Sequence, residues 1–266
     1  MALYLPFAFG MSPRAPIAAN FNPKNATGLS LWLDATDNST LTLSGSNVNQ
    51  WRDKSGNGNN ATGISSPIVS KNSINGLQSI YTNNGPYFTG PMPITGTTLT
   101  CFAVATTLVA LPKVANDQRL VSLENGPNVD YGREDGVIAL FNQSGTSSIT
   151  TWRVVGSPVG SATISTGVPF MAVSQYDGST GYLWENGSPG SPPSNSSSGT
   201  FAITKYGIGN QPNNSGEYWI GNIGEVIIYN TSLSTSDRQK VEGYLAWKWA
   251  MNTNLPSTHP YRYIQP

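Results

Sequence analysis

The chain is poor in charge, in cysteine and in histidine. Of its 266 residues only 11% are Asp, Glu, Lys or Arg, 14 basic against 14 acidic, so the formal net charge is zero. No cluster of Lys and Arg breaks that balance, which argues against nucleic acid as a partner, because such binding depends on neutralising phosphates. The single cysteine, Cys101, cannot form an intramolecular disulfide, and its place in the apolar run "LTCFAVATTLV" reads as a buried small thiol. The fold must then stand on its core alone, which a chain of this length can do because the buried fraction rises with size. With one histidine, His259, a Ser-His-Asp triad would depend on the C-terminal "STHPY", and zinc sites built from several His or Cys ligands are excluded. Gly-Lys-Ser/Thr phosphate loops are absent. No run of about 18 apolar residues exists, so no membrane-spanning helix is expected.

What is abundant points to strands. Gly, Pro, Asn, Ser and Thr are frequent and aromatics reach 10%, a composition of many short strands joined by polar turns. Apolar and polar residues alternate in "GLSLWLDA" (28–35), and strand-like runs recur at 77–82, 97–109, 119–125, 136–142, 148–155, 168–177, 181–186, 201–209 and 217–230. The residues around "DGST" (177–180) read as a hairpin with its tip at Asp177 and Gly178. The Pro/Ser/Gly-rich "GSPGSPPSNSSSG" (187–199) reads as a long surface loop within one domain. One segment changes period: from Ser234, a candidate N-cap with Asp237 three residues on, Val241, Tyr244, Leu245 and Trp249 share one helical face. That helix is expected to end near "NTNLP", where Pro256 forbids continuation. The fold class expected is all-β, an antiparallel sandwich with one short C-terminal helix.

The N-terminus is apolar, but its first basic residue, Arg14, follows the apolar run and Pro6 interrupts it, so it does not read as a signal peptide. Residues 1–27 are read as a docking arm and 28–266 as a single domain. Exposed Leu3, Tyr4, Leu5, Phe7 and Phe9 would be a liability on a soluble monomer. They are expected to dock on this domain, on a sister subunit of a homo-oligomer, or on another protein.

The C-terminal "GNIGEVIIYNTSLSTSDRQKVEGYLAWKW" followed by "LPSTHPYR" resembles the laminin G-like branch of the concanavalin A-like lectin and glucanase superfamily. "LSLWLDATDNSTLT…VNQWRDKSGNGNNAT" and "VSQYDGSTGYLWENG" resemble the same branch, so the likeness extends from about Leu29 to Tyr261. The resemblance implies a two-sheet jelly roll with a concave face that often receives ligands. It implies little about function, because this fold carries lectins, glycanases, adhesion modules and virion proteins alike. Glycanases of the superfamily hold their carboxylates in a Glu-x-Asp-x-x-Glu arrangement, and no such triplet occurs here. Glu217 and Glu225 lie too far apart along one extended segment to flank a single bond.

Two places remain as candidate sites. In "WRDKSGNGNN", Asp53, Ser55, Asn57 and Asn59 occupy alternate positions with glycines between, like the first half of a Ca²⁺ loop. The closing Glu is missing, Ile64 standing in its place, so further ligands such as Asp34 or Asp37 would be needed. The other reading is a turn in which Asp53 bonds local backbone N–H groups. In "NVDYGREDG", Tyr131, Arg133, Glu134 and Asp135 form either a ligand-reading loop or a solvated turn, and Trp152 beside Arg153 is the aromatic most suited to a groove. Trp32, Trp51, Trp184, Trp219, Trp247 and Trp249 are expected in core or sheet packing.

The function expected from these residues is a non-catalytic structural and binding module on a particle surface, such as a minor capsid, decoration or fibre protein of a virion. Glycans and other virion or surface proteins are its expected partners, and Ca²⁺ is the one cofactor in view. The alternative is an exported carbohydrate-binding or adhesion domain of a cell, with a glycoside hydrolase a distant third.

Overall fold

The computed structural model describes residues 21–112, 116–125, 137–152, 158–191, 194–195, 200–212 and 216–266. In chain order the strands are β1 (Leu29–Asp34), β2 (Leu41–Ser44), β3 (Asn47–Trp51), β4 (Ala61–Ile64), β5 (Ile68–Ile74), β6 (Leu77–Thr82), β7 (Tyr87–Gly96), β8 (Thr98–Thr107) and β9 (Gln118–Glu124). There follow β10 (Val137–Asn142), β11 (Ser148–Trp152), β12 (Pro158–Thr163), β13 (Phe170–Asp177), β14 (Thr180–Glu185), β15 (Ser188–Pro189), β16 (Ser194–Asn195), β17 (Phe201–Ile208) and β18 (Gly221–Tyr229). One α-helix, α1 (Thr235–Lys248), comes last. The fold is all-β, and every strand-to-strand ladder is antiparallel.

The expectation of two separate sheets is corrected by the pairings. Strands β14, β13, β8 and β18 run side by side, and the far edge of β18 is shared, by β6 at its start and by β1 at its end. From β6 the ladder turns through β5, β3 and β4 to β7, then crosses β17, β9, β10 and β11 to β12. The result is one continuous sheet, nearly closed into a barrel, because β6 can serve two neighbours where a sandwich would have an open edge. The gap lies between β12 and the strand after β14, where Ser191 N donates to Ser161 O at 2.7 Å and Ser161 N to Ser191 Oγ at 2.9 Å.

Alternation along the central strands builds two cores. Cys101, Ala103 and Ala105 of β8, with Leu31, Leu33, Val226 and Ile228, face the inside with Val121, Leu123, Tyr206 and Ile208 from across the barrel. The residues between them, Phe102 and Val104 of β8, Trp32, Ile227 and Tyr229, face outward and are covered by Val241 and Leu245 of α1 and by Trp249 just past its end. Both faces of β8 and β18 are therefore apolar, which is why these strands read as near-continuous hydrophobic runs. Gly224 of β18 is where the helix lands: a Cβ there would lie 2.6 Å from the Trp249 ring.

Helix α1 starts as its sequence demands, with Ser234 Oγ accepting from Asp237 N at 3.1 Å. It stops at Lys248, well before Pro256, because Ala250 takes a left-handed conformation, φ 52°. Residues 21–27, counted with the arm by their sequence, pack on the domain. Phe21 N donates to Pro266 O at 3.1 Å, its ring meets Tyr244 at 6.5 Å, and Tyr229 OH donates to Pro23 O at 2.9 Å. The arm residues Leu3, Tyr4, Leu5, Phe7 and Phe9 lie outside the described residues.

Candidate functional site

In the Trp51–Asn60 stretch, both carboxylate oxygens of Asp53 are occupied by donors. Oδ1 accepts from Trp32 N at 3.0 Å and Ser55 N at 2.8 Å, and Oδ2 from Ser55 Oγ at 2.7 Å and Asn59 N at 3.0 Å. The side chains of Asn57 and Asn59 turn their amide nitrogens toward β1, donating to Ser30 O at 3.2 and 2.9 Å. Gly56 and Gly58 hold the positive φ values, 102° and 76°, that let the chain make this bend. This is the turn arrangement, a clamp between the loop and β1, and its donor set does not fit a calcium shell. The extra carboxylates that a metal would have required are held by a lysine instead: Lys54 Nζ lies 2.8 Å from both Asp34 Oδ2 and Asp37 Oδ2. Hydrogen bonds from Lys54 and Ser39 pull the half-buried Asp37 carboxyl down to about 2. Among the described residues no group of three or more His, Cys, Asp or Glu is placed to hold a metal.

A second polar group stands on the face of β9 turned from the inner core. Val121 and Leu123 point inside, so alternation turns Ser122 and Glu124 to the other face. A bulge opposite Leu140 puts Arg119 in register with Phe141, and its guanidinium sits 5.7 Å from that ring. The same guanidinium pairs with Glu217, from the segment before β18. Burial raises the Tyr87 hydroxyl pKa first, and the charges of Tyr218 and Glu124 push it further up. Arg119, Ser122 and Glu124 are all buried, and the cover is in part the chain after β17: a Cβ on Gly207 would meet Asn210 O at 2.2 Å and Pro212 N at 2.8 Å. The arrangement is a set of fixed charges and hydroxyls flanked by aromatic rings. Arg119, Ser122 and Glu124 are sealed from solvent, so hydrogen bonds to a polar ligand would come from the half-buried Glu217 and Tyr218 that lie beside them.

Of the residues singled out by sequence, Tyr131, Arg133, Glu134 and Asp135 lie outside the described residues. Their segment leaves β9 one residue after Glu124 and returns at Val137, so it departs from the end of the strand that carries the polar group. Trp152 is the last residue of β11 and takes the register position opposite Ile138, which is itself opposite Ser122. Arg119, Glu124, Tyr87 and Tyr218 escaped the sequence reading. The signal for Arg119 and Glu124 was present, two charges within the apolar run "QRLVSLE", but a strand end is an ordinary place for charge.

Glu225 answers a different need. It is fully buried on the outward face of β18, where it accepts from Trp32 Nε1 at 2.7 Å, Tyr244 OH at 2.9 Å, Trp249 Nε1 at 2.8 Å and Lys248 Nζ at 2.6 Å. Burial raises its pKa, the Lys248 ammonium opposing that shift. Glu217 precedes β18 and is bound to β9, so the two glutamates that share one stretch of sequence serve opposite sides of the molecule. Of the tryptophans, Trp32, Trp51, Trp219 and Trp249 are buried as expected, whereas Trp184 and Trp247 are only half-buried.

No protein-family model matches the sequence, and a search of curated proteins finds no match. The fold is shared with solved structures at low identity. A sialidase of Trypanosoma rangeli in complex with sialic acid aligns with a TM-score of 0.58 and 14% identity, over 83% of this chain and 33% of that one. Domain 4 of AbnA, a GH43 extracellular arabinanase of Geobacillus stearothermophilus in complex with arabinotriose, aligns with a TM-score of 0.56 and 14% identity, over 80% of this chain and 97% of that one. The binding domain of botulinum neurotoxin serotype G aligns with a TM-score of 0.57 and 11% identity, over 87% of this chain and 53% of that one. This chain thus spans a third of the sialidase, half of the toxin domain and nearly all of the arabinanase domain. These likenesses establish a β-rich fold common to the group. They also correct the expectation that the chain is not an enzyme: its fold occurs in a sialidase and in a domain of an arabinanase, so a missing Glu-x-Asp-x-x-Glu triplet is no ground for excluding a glycosidase-like relationship. Among the described residues no helix is long and apolar enough to cross a membrane.

Proposed function

We propose that the chain is a glycan-binding domain displayed on a particle surface, in the setting of a virion decoration or fibre protein. The observation that carries the glycan reading is the group on the face of β9 turned from the core: Arg119 ion-paired with Glu217 and bridged to Tyr218, with Glu124 further along the same strand. A largely buried ion pair adds little stability over apolar packing of the same volume, so a face that keeps Arg119 and Glu217 calls for a use. Sugars match it, since their hydroxyls take hydrogen bonds from fixed charged groups and their C–H faces rest on aromatic rings. The arabinotriose complex of the arabinanase domain supports the same ligand class. The particle setting rests on the apolar segment carrying Leu3, Tyr4, Leu5, Phe7 and Phe9, suited to docking on a neighbouring protein.

The test is a glycan array probed with the purified chain, its Glu124→Gln variant and its Arg119→Lys variant. The expected result is binding to a defined set of glycans, weakened at least about tenfold in either variant that keeps the parent melting temperature. Binding of no glycan, or binding indifferent to both substitutions, overturns the site. For the setting, neighbouring capsid, portal or tail genes support a virion; neighbouring polysaccharide enzymes support an exported domain of a cell.

A further inference from the structure

The opposite side of the sheet carries a cleft that the reading above does not use. It lies at the N-terminal end of α1, encloses about 250 Å³, and is lined by Gln175, Asp177, Tyr182, Trp184, Ser232 and Arg238 among others. The register explains how these side chains meet. Tyr182 is opposite Gln175 and Trp184 is opposite Val173, and Val173 belongs to the core beneath α1. Both rings therefore stand on the helix side of the sheet. The helix covers Val173 but begins only after Ser234, so it leaves the rings half-buried where it stops short.

The rings are ordered. Those of Tyr182 and Trp184 are near-parallel, with centroids 5.7 Å apart and planes 15° off. The Arg238 guanidinium lies 4.0 Å from the centre of the Trp184 ring. Arg238 is itself paired with the buried Glu242, whose other oxygen lies 3.0 Å from His259 Nε2. At the far end Tyr182 OH donates to Asp177 Oδ2 at 2.9 Å, and Asp177 Oδ1 also accepts from Ser179 N and Thr180 N. At the back Gln175 Nε2 donates to Ser232 Oγ at 2.5 Å and Leu233 O at 2.9 Å. Tyr182 is thus held at its hydroxyl by Asp177 and Trp184 on its face by Arg238, so little side-chain freedom is left to lose on binding.

We infer that this cleft is a second carbohydrate site, separate from the one on β9, and that it takes a neutral pyranose. The Tyr182 ring, braced against Trp184, suits the C–H face of such a ring, and the carboxylate, amide and hydroxyls at the rim suit its hydroxyl groups. The charge pattern selects the neutral class. Arg238 already spends its charge on Glu242 and on the Trp184 face, and Asp177 presents an exposed carboxylate that repels an acidic sugar.

The experiment is an array of neutral oligosaccharides including cellotriose, maltotriose and arabinotriose, with 3′-sialyllactose as the acidic probe, followed by calorimetric titration of the best binder. Tyr182→Ala is expected to lower affinity for a neutral trisaccharide at least about tenfold, Tyr182→Phe to keep it within about threefold, and Asp177→Asn, at an exposed position that cannot unfold the domain, to lower it about threefold or more. The Lys71→Ala variant, at an exposed position of β5 that belongs to neither site, is expected to leave this affinity unchanged. Three results each overturn the inference: no neutral oligosaccharide binding to the parent chain, neutral binding unchanged in both Tyr182→Ala and Asp177→Asn, or a preference for 3′-sialyllactose.

Discussion

Glu225 of β18 and Lys248 of α1 meet at 2.6 Å beneath the helix, and the same ammonium reaches Asp34 of β1 at 2.7 Å. One lysine thus ties the C-terminal helix to two strands that are remote in sequence. The two carboxylates respond differently. Burial pushes both toward protonation, but Asp34, bonded to Lys248, Lys54 and Thr36, is held below the ordinary carboxylate range, while the fully buried Glu225 is raised.

Removing the cation leaves the buried Glu225 without its ion-pair partner, while Asp34 keeps Lys54. Lys248→Met is expected to destabilise the fold by about 3–5 kcal/mol, the cost of breaking a buried pair from one side. Urea denaturation measures it, and a loss under about 1 kcal/mol would mean that solvent reaches the pair.

Calcium is expected to leave the protein unchanged. The melting temperature should be the same in excess CaCl₂ and in EDTA, since the oxygens of Asp53 are already taken by four donors. Asp53→Ala should cost at least about 3 kcal/mol, because it strips a charged acceptor from several donors at once. A calcium-dependent rise in melting temperature in the parent chain, lost in the variant, would restore the metal reading.

The pH dependence has a defined sign. Burial raises the half-buried Glu185 on β14 from 4.5 to about 7, so the folded state holds its proton more tightly than the unfolded chain. The stability that Glu185 contributes is full below the unfolded value and is lost as pH climbs to about 7. Asp34 acts oppositely, its lowered pKa contributing stability above the ordinary carboxylate value that is lost as pH falls. Glu185→Gln is therefore expected to flatten the decline in stability between the two pH limits while leaving the acid limb intact. An unchanged slope in denaturation curves across that window would refute it.

Cys101 faces the inner core with no exposed surface, and burial raises its thiol well above the ordinary range. A thiol reagent such as DTNB should react with it only at the rate of unfolding. Rapid labelling of the native protein would mean that the barrel opens.

Much of the fold was legible, and for local reasons. The run at 77–82 is β6 without change, and 97–109, 119–125, 168–177, 181–186 and 201–209 each match one strand within three residues at either end. The hairpin tip at Asp177 and Gly178 and the Ser234 cap also stand where turn and cap chemistry put them. Strands β2, β3, β4, β5, β7 and β12 went unread, as did the two-residue β15 and β16 inside the run read as a surface loop. β7, "YFTGPMPITG", carries two glycines and two prolines, and β5, "IVSKNSI", is polar on most positions. Such segments become strands because neighbours supply hydrogen bonds, not because their residues favour it. Trp184 shows the same limit at the level of the site, since its period places it on a strand without saying that α1 stops short of it.

The sequence by itself determined what is decided between near neighbours: an all-β chain, one capped helix, a glycine-bearing turn after Trp51, and a cysteine with no partner. The tertiary structure alone decided that β18 shares one edge between β6 and β1, that Arg119 finds Glu217, that Lys54 occupies the place between Asp34 and Asp37, and that Tyr182 and Trp184 border a cleft. The physical reason is that a two-residue period tells which side chains share a face but not which strand lies alongside. Pairing across a sheet joins residues up to two hundred positions apart, and which edges meet depends on packing summed over the whole core.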